Sequence, residues 1–117
     1  MPKGIFLALA SPTSDNVDGD FNQWYDDVHM KEVLALPGVN SARRFKIAPV
    51  QIMPGDDAMG RQYLALYEVD VDNWQAFADA NMQAFTEGRI TVDADLLQMD
   101  PMVKTMVFEE IMPETKA

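Results

Sequence analysis

The sequence predicts an α+β domain of four strands and two helices, alternating as β-α-β-β-α-β. Three observations carry that reading. Two segments repeat apolar residues at helical spacing, four others are short apolar or alternating runs, and Pro, Gly, Asn and Asp mark most of the junctions. The chain has 117 residues, near the commonest size for one domain, and no interior stretch reads as a linker, so residues 1–117 are taken as a single domain. A composition of 48% hydrophobic and 24% charged residues is ordinary globular usage.

Ile5 to Ala10 is a short apolar run that ends at Ser11-Pro12, and Asp15, Asn16 and Asp18-Gly19 follow it. This is a buried strand leading into a polar loop. Phe21, Trp24, Tyr25, Val28, Glu32, Val33 and Leu36 then recur mostly at steps of three and four. They define a first helix, with Asp20 as its expected N-cap and Pro37-Gly38 as its stop. Val39 to Ala48 lies between turn signals and is expected to be a strand. Pro54-Gly55-Asp56-Asp57 marks the loop after it.

Gln62 to Val71 has the clearest strand pattern, with Tyr63, Ala65, Tyr67 and Val69 on one face and Leu64, Leu66 and Glu68 on the other. Asp72 is the expected cap of a second helix, whose stripe is Trp74, Phe77, Ala78, Met82 and Phe85 and whose end is Glu87-Gly88. Trp74, Phe77 and Phe85 are expected in the core. Arg89 to Pro101 is irregular and acidic, with a helical turn expected near Asp95-Leu96-Leu97. Met102 to Ile111 is the last expected strand.

This order is the split βαβ, ferredoxin-like arrangement, a four-stranded antiparallel sheet with both helices on one face. The other sheet face then carries Tyr63 and Tyr67 or their neighbours, according to register. A partly apolar open face calls for a partner, and a second copy of the chain is the simplest.

Composition excludes several roles. A net charge of −10 repels phosphate backbones and anionic lipid, so neither nucleic acid nor membrane is an expected partner. The first apolar stretch is too short for a signal peptide or a membrane span. Cysteine is absent, which removes disulfides, thiolate metal sites and a cysteine nucleophile, and the expected location is cytoplasmic. No phosphate-binding glycine loop, nucleophile elbow or dinucleotide fingerprint occurs. One histidine and no cysteine leave only a carboxylate-rich metal site, and the spacing around Asp18 and Asp20 does not fit a calcium loop. No metal or cofactor is expected.

The chemistry that remains gathers on the first helix. On a wheel of 100° per residue, His29 lies roughly 40° from Tyr25 and roughly 60° from Asp26 and Glu32. All three can approach the imidazole, and Trp24 borders them. A histidine titrates near neutrality, a carboxylate can hold its tautomer, and a phenol can donate to a developing oxyanion. The bland alternative is a half-buried histidine satisfied locally. Glu32 falls in the apolar stripe, where a carboxylate needs a partner, and an ion pair with Arg43 or Arg44 is favoured over catalysis. Tyr63 and Tyr67 either pack in the core or line a cavity.

Phe21-Asn22-Gln23-Trp24-Tyr25-Asp26-Asp27-Val28-His29, then Glu32-Val33-Leu34-Ala35-Leu36-Pro37-Gly38-Val39 and Ala42-Arg43-Arg44-Phe45, resemble the signature of the EthD-like proteins of the dimeric α/β barrel superfamily. The resemblance implies a homodimer in which two sheets pack their open faces into a barrel, with a cleft in each subunit between the helices and the sheet. It also implies an acid–base enzyme, of isomerase, cyclase, dehydratase or lyase type, that works without a cofactor. The substrate would be a small apolar carbonyl compound, aromatic or polyketide-like. By this carry-over His29 is the helix histidine, and Tyr25 and Asp26 are its preceding pair. Trp24, Tyr63, Tyr67 and Glu32 are the expected substrate contacts. The second helix lacks the histidine that the haem-degrading branch carries there. A non-catalytic binding or accessory dimer and a cofactor-free monooxygenase are the competing expectations.

Overall fold

Residues 2–53, 55, 60–99 and 103–117 are described by a computed structural model. Period-two alternation sorts the side chains of β1 (Lys3–Ala10), β2 (Val39–Lys46), β3 (Tyr63–Asp70) and β4 (Lys104–Glu109) between two faces of one sheet. The strand order is β2-β3-β1-β4 and every pairing is antiparallel. Each helix therefore connects strands separated by one other, which is the predicted ferredoxin-like topology. Of the predicted loop Pro54-Gly55-Asp56-Asp57, only Gly55 lies within the described residues, and Met102 of the last predicted strand lies outside them.

The first helix is composite. A 3-10 turn at Asp15–Val17 leads into α-helix at Asp18–Trp24, a π turn at Tyr25–His29 and α-helix again at Met30–Leu34. Asp20 is not its cap. The helix starts two residues earlier without a side-chain cap, and Asp20 sits in the first turn, where its charge faces the positive end of the helix dipole. The stop at Pro37-Gly38 holds: Gly38 has φ +87, and a Cβ there would lie 2.7 Å from the Asp70 carbonyl oxygen. The second helix, Trp74–Thr86, is capped one residue later than expected, since Asn73 Oδ1 accepts from the Ala76 amide at 2.7 Å.

Tyr63, Ala65, Tyr67 and Val69 do share a face, and it is the covered one. Tyr67 meets Met30 of the first helix. Phe6, opposite Tyr67 on β1, meets Phe77 of the second. The open face thus takes the neighbours: Ile5, Leu7 and Leu9 on β1, paired with Glu68, Leu66 and Leu64 and with Phe108, Met106 and Lys104. Of the three aromatics expected in the core, Phe77 is buried and Trp74 half-buried, but Phe85 is 53% exposed. Near the C-terminal end of its helix, Phe85 lines a cavity instead of the packed core.

After Gly88 the chain returns to the first helix, where Thr91 meets His29 and Glu32. The Thr13 amide donates to the Leu96 carbonyl at 2.8 Å and the Gln98 amide to that of Ser11 at 2.9 Å, so this segment is stitched to the loop after β1. The expected turn near Asp95 is present, with the Leu97 amide bonded to the Asp93 carbonyl.

Candidate active site

The π turn determines where the polar groups go. Its hydrogen bonds span five residues instead of four, as in the bond from the Met30 amide to the Tyr25 carbonyl. Tyr25 and His29 keep a common flank, their rings meeting edge to face at 4.9 Å. The wider turn carries Asp26 away from His29, contrary to the wheel. Asp26 Oδ1 instead accepts from Arg44 Nη1 on β2 at 2.8 Å.

His29 Nδ1 lies 3.1 Å from the Thr91 carbonyl oxygen. A carbonyl can only accept, so Nδ1 carries the proton and Nε2 holds the basic lone pair. Burial pulls the His29 pKa below its ordinary value, outweighing the Thr91 carbonyl and Glu32, which raise it, and Arg44 adds to the lowering. The imidazole is therefore neutral near neutral pH, the state a general base needs.

Glu32 is not paired with either arginine. Its Oε1 stands 3.6 Å from His29 Nδ1, too long for a hydrogen bond but close enough for a charge to be felt. Its hydrogen bonds come from Thr91: the amide donates to Oε1 at 3.1 Å, and the hydroxyl lies 2.9 Å from each carboxylate oxygen. The expected ion pair fails because Arg43 points to the open face, over Phe45, and Arg44 is taken by Asp26.

Tyr25 is 2% exposed, and its hydroxyl bonds to no described residue. Burial pushes its pKa up to about 12 against the opposing charge of Arg44. The Tyr67 hydroxyl donates to Met30 Sδ at 3.1 Å, a weak acceptor. Burial drives its pKa up as well, and Tyr25 adds to the rise.

Tyr25, His29 and Tyr67 border one end of a cavity of about 510 Å³ between the second helix, β1, β4 and the returning segment. Phe6, Trp74, Phe77 and Phe85 supply aromatic wall, and Met82 and Met99 supply flexible wall. Asn81 and Thr105 are the further polar side chains on it, and no charged side chain lines it among the described residues. Such a space suits a neutral, largely apolar molecule. No three His, Asp or Glu side chains cluster to hold a metal ion among the described residues.

The seven residues singled out by sequence thus divide. His29, Tyr25 and Tyr67 reach the cavity. Glu32 buttresses His29 through Thr91 from outside. Asp26 contacts neither His29 nor the cavity. Trp24 packs on the outer side of the imidazole, ring centroids 5.1 Å apart, and lines a separate shallow groove. Tyr63 donates to Asp18 and accepts from Asn22, tying down the start of the first helix. Sequence reasoning missed Thr91, Asn81 and Thr105. It also missed the role of Arg44, though Ala65 directly opposite was a hint, because a small residue there leaves room for a guanidinium on the covered face.

No family model matches the chain, and no curated protein matches it. Solved structures do match. HapK from Hahella chejuensis has a TM-score of 0.64 at 12% identity, covering 97% of this chain and 98% of that one. A dimeric ferredoxin-like protein of unknown function from Thermobifida fusca YX has a TM-score of 0.52 at 13% identity, covering 93% and 92%. An ethyl tert-butyl ether d (EthD) family protein from Bacillus halodurans C-125 has a TM-score of 0.51 at 13% identity, covering 95% and 100%. At these identities the likeness is one of fold. The ferredoxin-like fold is shared, and an EthD family protein is among those that share it, in accord with the resemblance read around Trp24 to His29. No helix among the described residues is long and apolar enough to cross a membrane.

Proposed function

We propose that the chain is a cofactor-independent acid–base enzyme acting on a small, neutral, largely apolar carbonyl compound. The observation that carries this is a neutral imidazole and two phenols gathered at one end of a cavity otherwise without charge. His29 Nε2 takes a proton from the carbon next to the carbonyl. The electron pair of that C–H bond moves into the carbonyl, and the Tyr25 hydroxyl donates to the enolate oxygen, with Tyr67 beside it. The imidazolium then returns its proton to the same carbon, to another carbon, or to a departing hydroxyl, which gives exchange, isomerisation or dehydration. Glu32 and the Thr91 carbonyl stabilise the imidazolium while it exists.

Deprotonation next to a carbonyl can be followed without knowing the natural substrate. With 2-tetralone, a neutral bicyclic ketone, in heavy water, proton NMR follows loss of the signal beside the carbonyl. The protein is expected to accelerate exchange above buffer, and His29→Ala is expected to remove at least about a hundredfold of that rate. If exchange above buffer survives in His29→Ala and Tyr25→Phe alike, the acid–base reading fails and a binding role takes its place.

The working unit is proposed to be a homodimer. Leu7, Leu9, Leu64, Leu66 and Met106 lie half-buried on the open face, while Phe45 and Phe108 on the same face are 41% and 49% exposed. One structural neighbour is described as dimeric, and a second copy would cover this face. Light scattering at micromolar concentration reads the mass directly, and a monomer would refute the proposal.

A further inference from the structure

Arg44 sits behind the site. Its side chain is 13% exposed, and its guanidinium carbon lies 4.3 Å from the centre of the Tyr25 ring, 5.3 Å from that of Tyr63 and 5.7 Å from that of Phe21. Nε and Nη2 are buried without a hydrogen-bond partner among the described residues. Among the described residues its ion pair is with Asp26, whose side chain is 59% exposed, so water screens that carboxylate more than the guanidinium. A cation so placed is bound mainly by aromatic faces, the arrangement for which arginine is better suited than lysine. Such an arrangement is a costly way to hold a strand to a helix, since an apolar side chain of similar length would fill the same space.

We propose that Arg44 is a positioning residue for the cavity: its plane clamps the Tyr25 ring in place, and its charge, just behind the wall, favours negative charge on an oxygen bound at Tyr25. This rests on the acid–base reading above and extends it to a residue that does not line the cavity. The field reaches every polar group at that end. Arg44 opposes the burial-driven rise in the pKa of Tyr25 and of Tyr67 and pushes that of His29 down, so one cation makes both phenols better donors and keeps the base unprotonated. The other groups facing His29 are Glu32 on its own helix and the Thr91 carbonyl from the returning segment.

The chain has a single histidine, so proton NMR of the full-length protein follows its ring signals without assignment. In the native protein His29 is expected to titrate below its ordinary value, and Arg44→Met should move the titration upward. Arg44→Lys, which keeps the charge and loses the plane, should leave the titration near the native value. It should still alter the ring-current shift that Tyr25 imposes on the imidazole. On 2-tetralone exchange, Arg44→Met should lower kcat about tenfold with little change in KM, because the charge acts on the developing oxyanion and not on the bound ketone. A folded Arg44→Met whose His29 titration does not move overturns the inference. If that variant does not fold, Asp26→Asn decides. Removing the exposed counter-charge should shift His29 further down, and an unmoved titration is again fatal. Failure here with His29→Ala still inactive leaves the acid–base reading standing, whereas an active His29→Ala removes that reading whatever Arg44 does.

Discussion

Replacing Glu32 by alanine should release the segment after the second helix from the first helix. The carboxylate accepts from both the amide and the hydroxyl of Thr91, at 2.9–3.1 Å. Hydrogen bonds to a charged group contribute about 1.5–3 kcal/mol each when well shielded. Thr91 is exposed, so about 1 kcal/mol apiece is more realistic, giving a loss of about 2 kcal/mol in all. In urea that appears as a lower midpoint with an unchanged slope, and on heating as a fall in Tm of roughly 8 °C. Glu32→Gln keeps one acceptor oxygen and should lose about half as much. Both variants also remove the negative charge 3.6 Å from His29 Nδ1. Since that charge raises the His29 pKa, the imidazole should titrate lower still. Native-like stability in Glu32→Ala together with an unmoved His29 titration would refute the latch and the electrostatic coupling at once.

Two further outcomes follow from the same geometry. Phe77→Ala should cost about 3–5 kcal/mol in denaturant, because Phe77 is 4% exposed and wedged against Phe6 and Trp74; Phe85→Ala, at 53% exposed, should cost under about 1 kcal/mol and weaken 2-tetralone binding instead. As for pH, the unfolded chain takes up a proton at His29 on passing down through about 6.5, where the folded chain resists it. The native protein should therefore lose stability from about pH 6.5 down to the folded pKa, and lose none on this account above it. The difference in urea midpoint between native and His29→Gln proteins isolates this, and a difference constant across the window would refute it.

The order of elements was legible because strand and helix periods differ and the boundaries carry Pro, Gly and Asp. Caps were less so. Asp20 and Asn73 show why, since a side-chain oxygen caps only if its backbone is extended at that residue, and sequence does not reveal φ and ψ. His29 and Tyr25 could be read because a spacing of four keeps two residues on one flank in an α turn and in a π turn. Asp26, at three, could not, because only the α turn would have brought it round. The Glu32 pairing failed for a different reason. Its partner, Thr91, is 59 residues away in a segment without periodicity, where no pattern links the two.

The two helices meet the sheet unequally, and that inequality gives the site its form. The first helix buries Phe21, Tyr25, Met30 and Val33, and its aromatic rings pack against Tyr63 and around Arg44. This packing leaves His29 and Tyr25 little freedom, so an acid–base pair built there is already oriented before a ligand arrives. The second helix buries only Phe77 and Ala84, and above the sheet it leaves the cavity, edged by Met82 and Phe85. That wall is apolar and rich in rotatable bonds, able to close over molecules of differing outline. In the proposed reaction, this division of a rigid polar end from an adaptable apolar one assigns proton transfer to the first helix and the choice of carbonyl compound to the second. Substitutions at Met82 or Phe85 should accordingly act on KM, and substitutions at Arg44 or Glu32 on kcat.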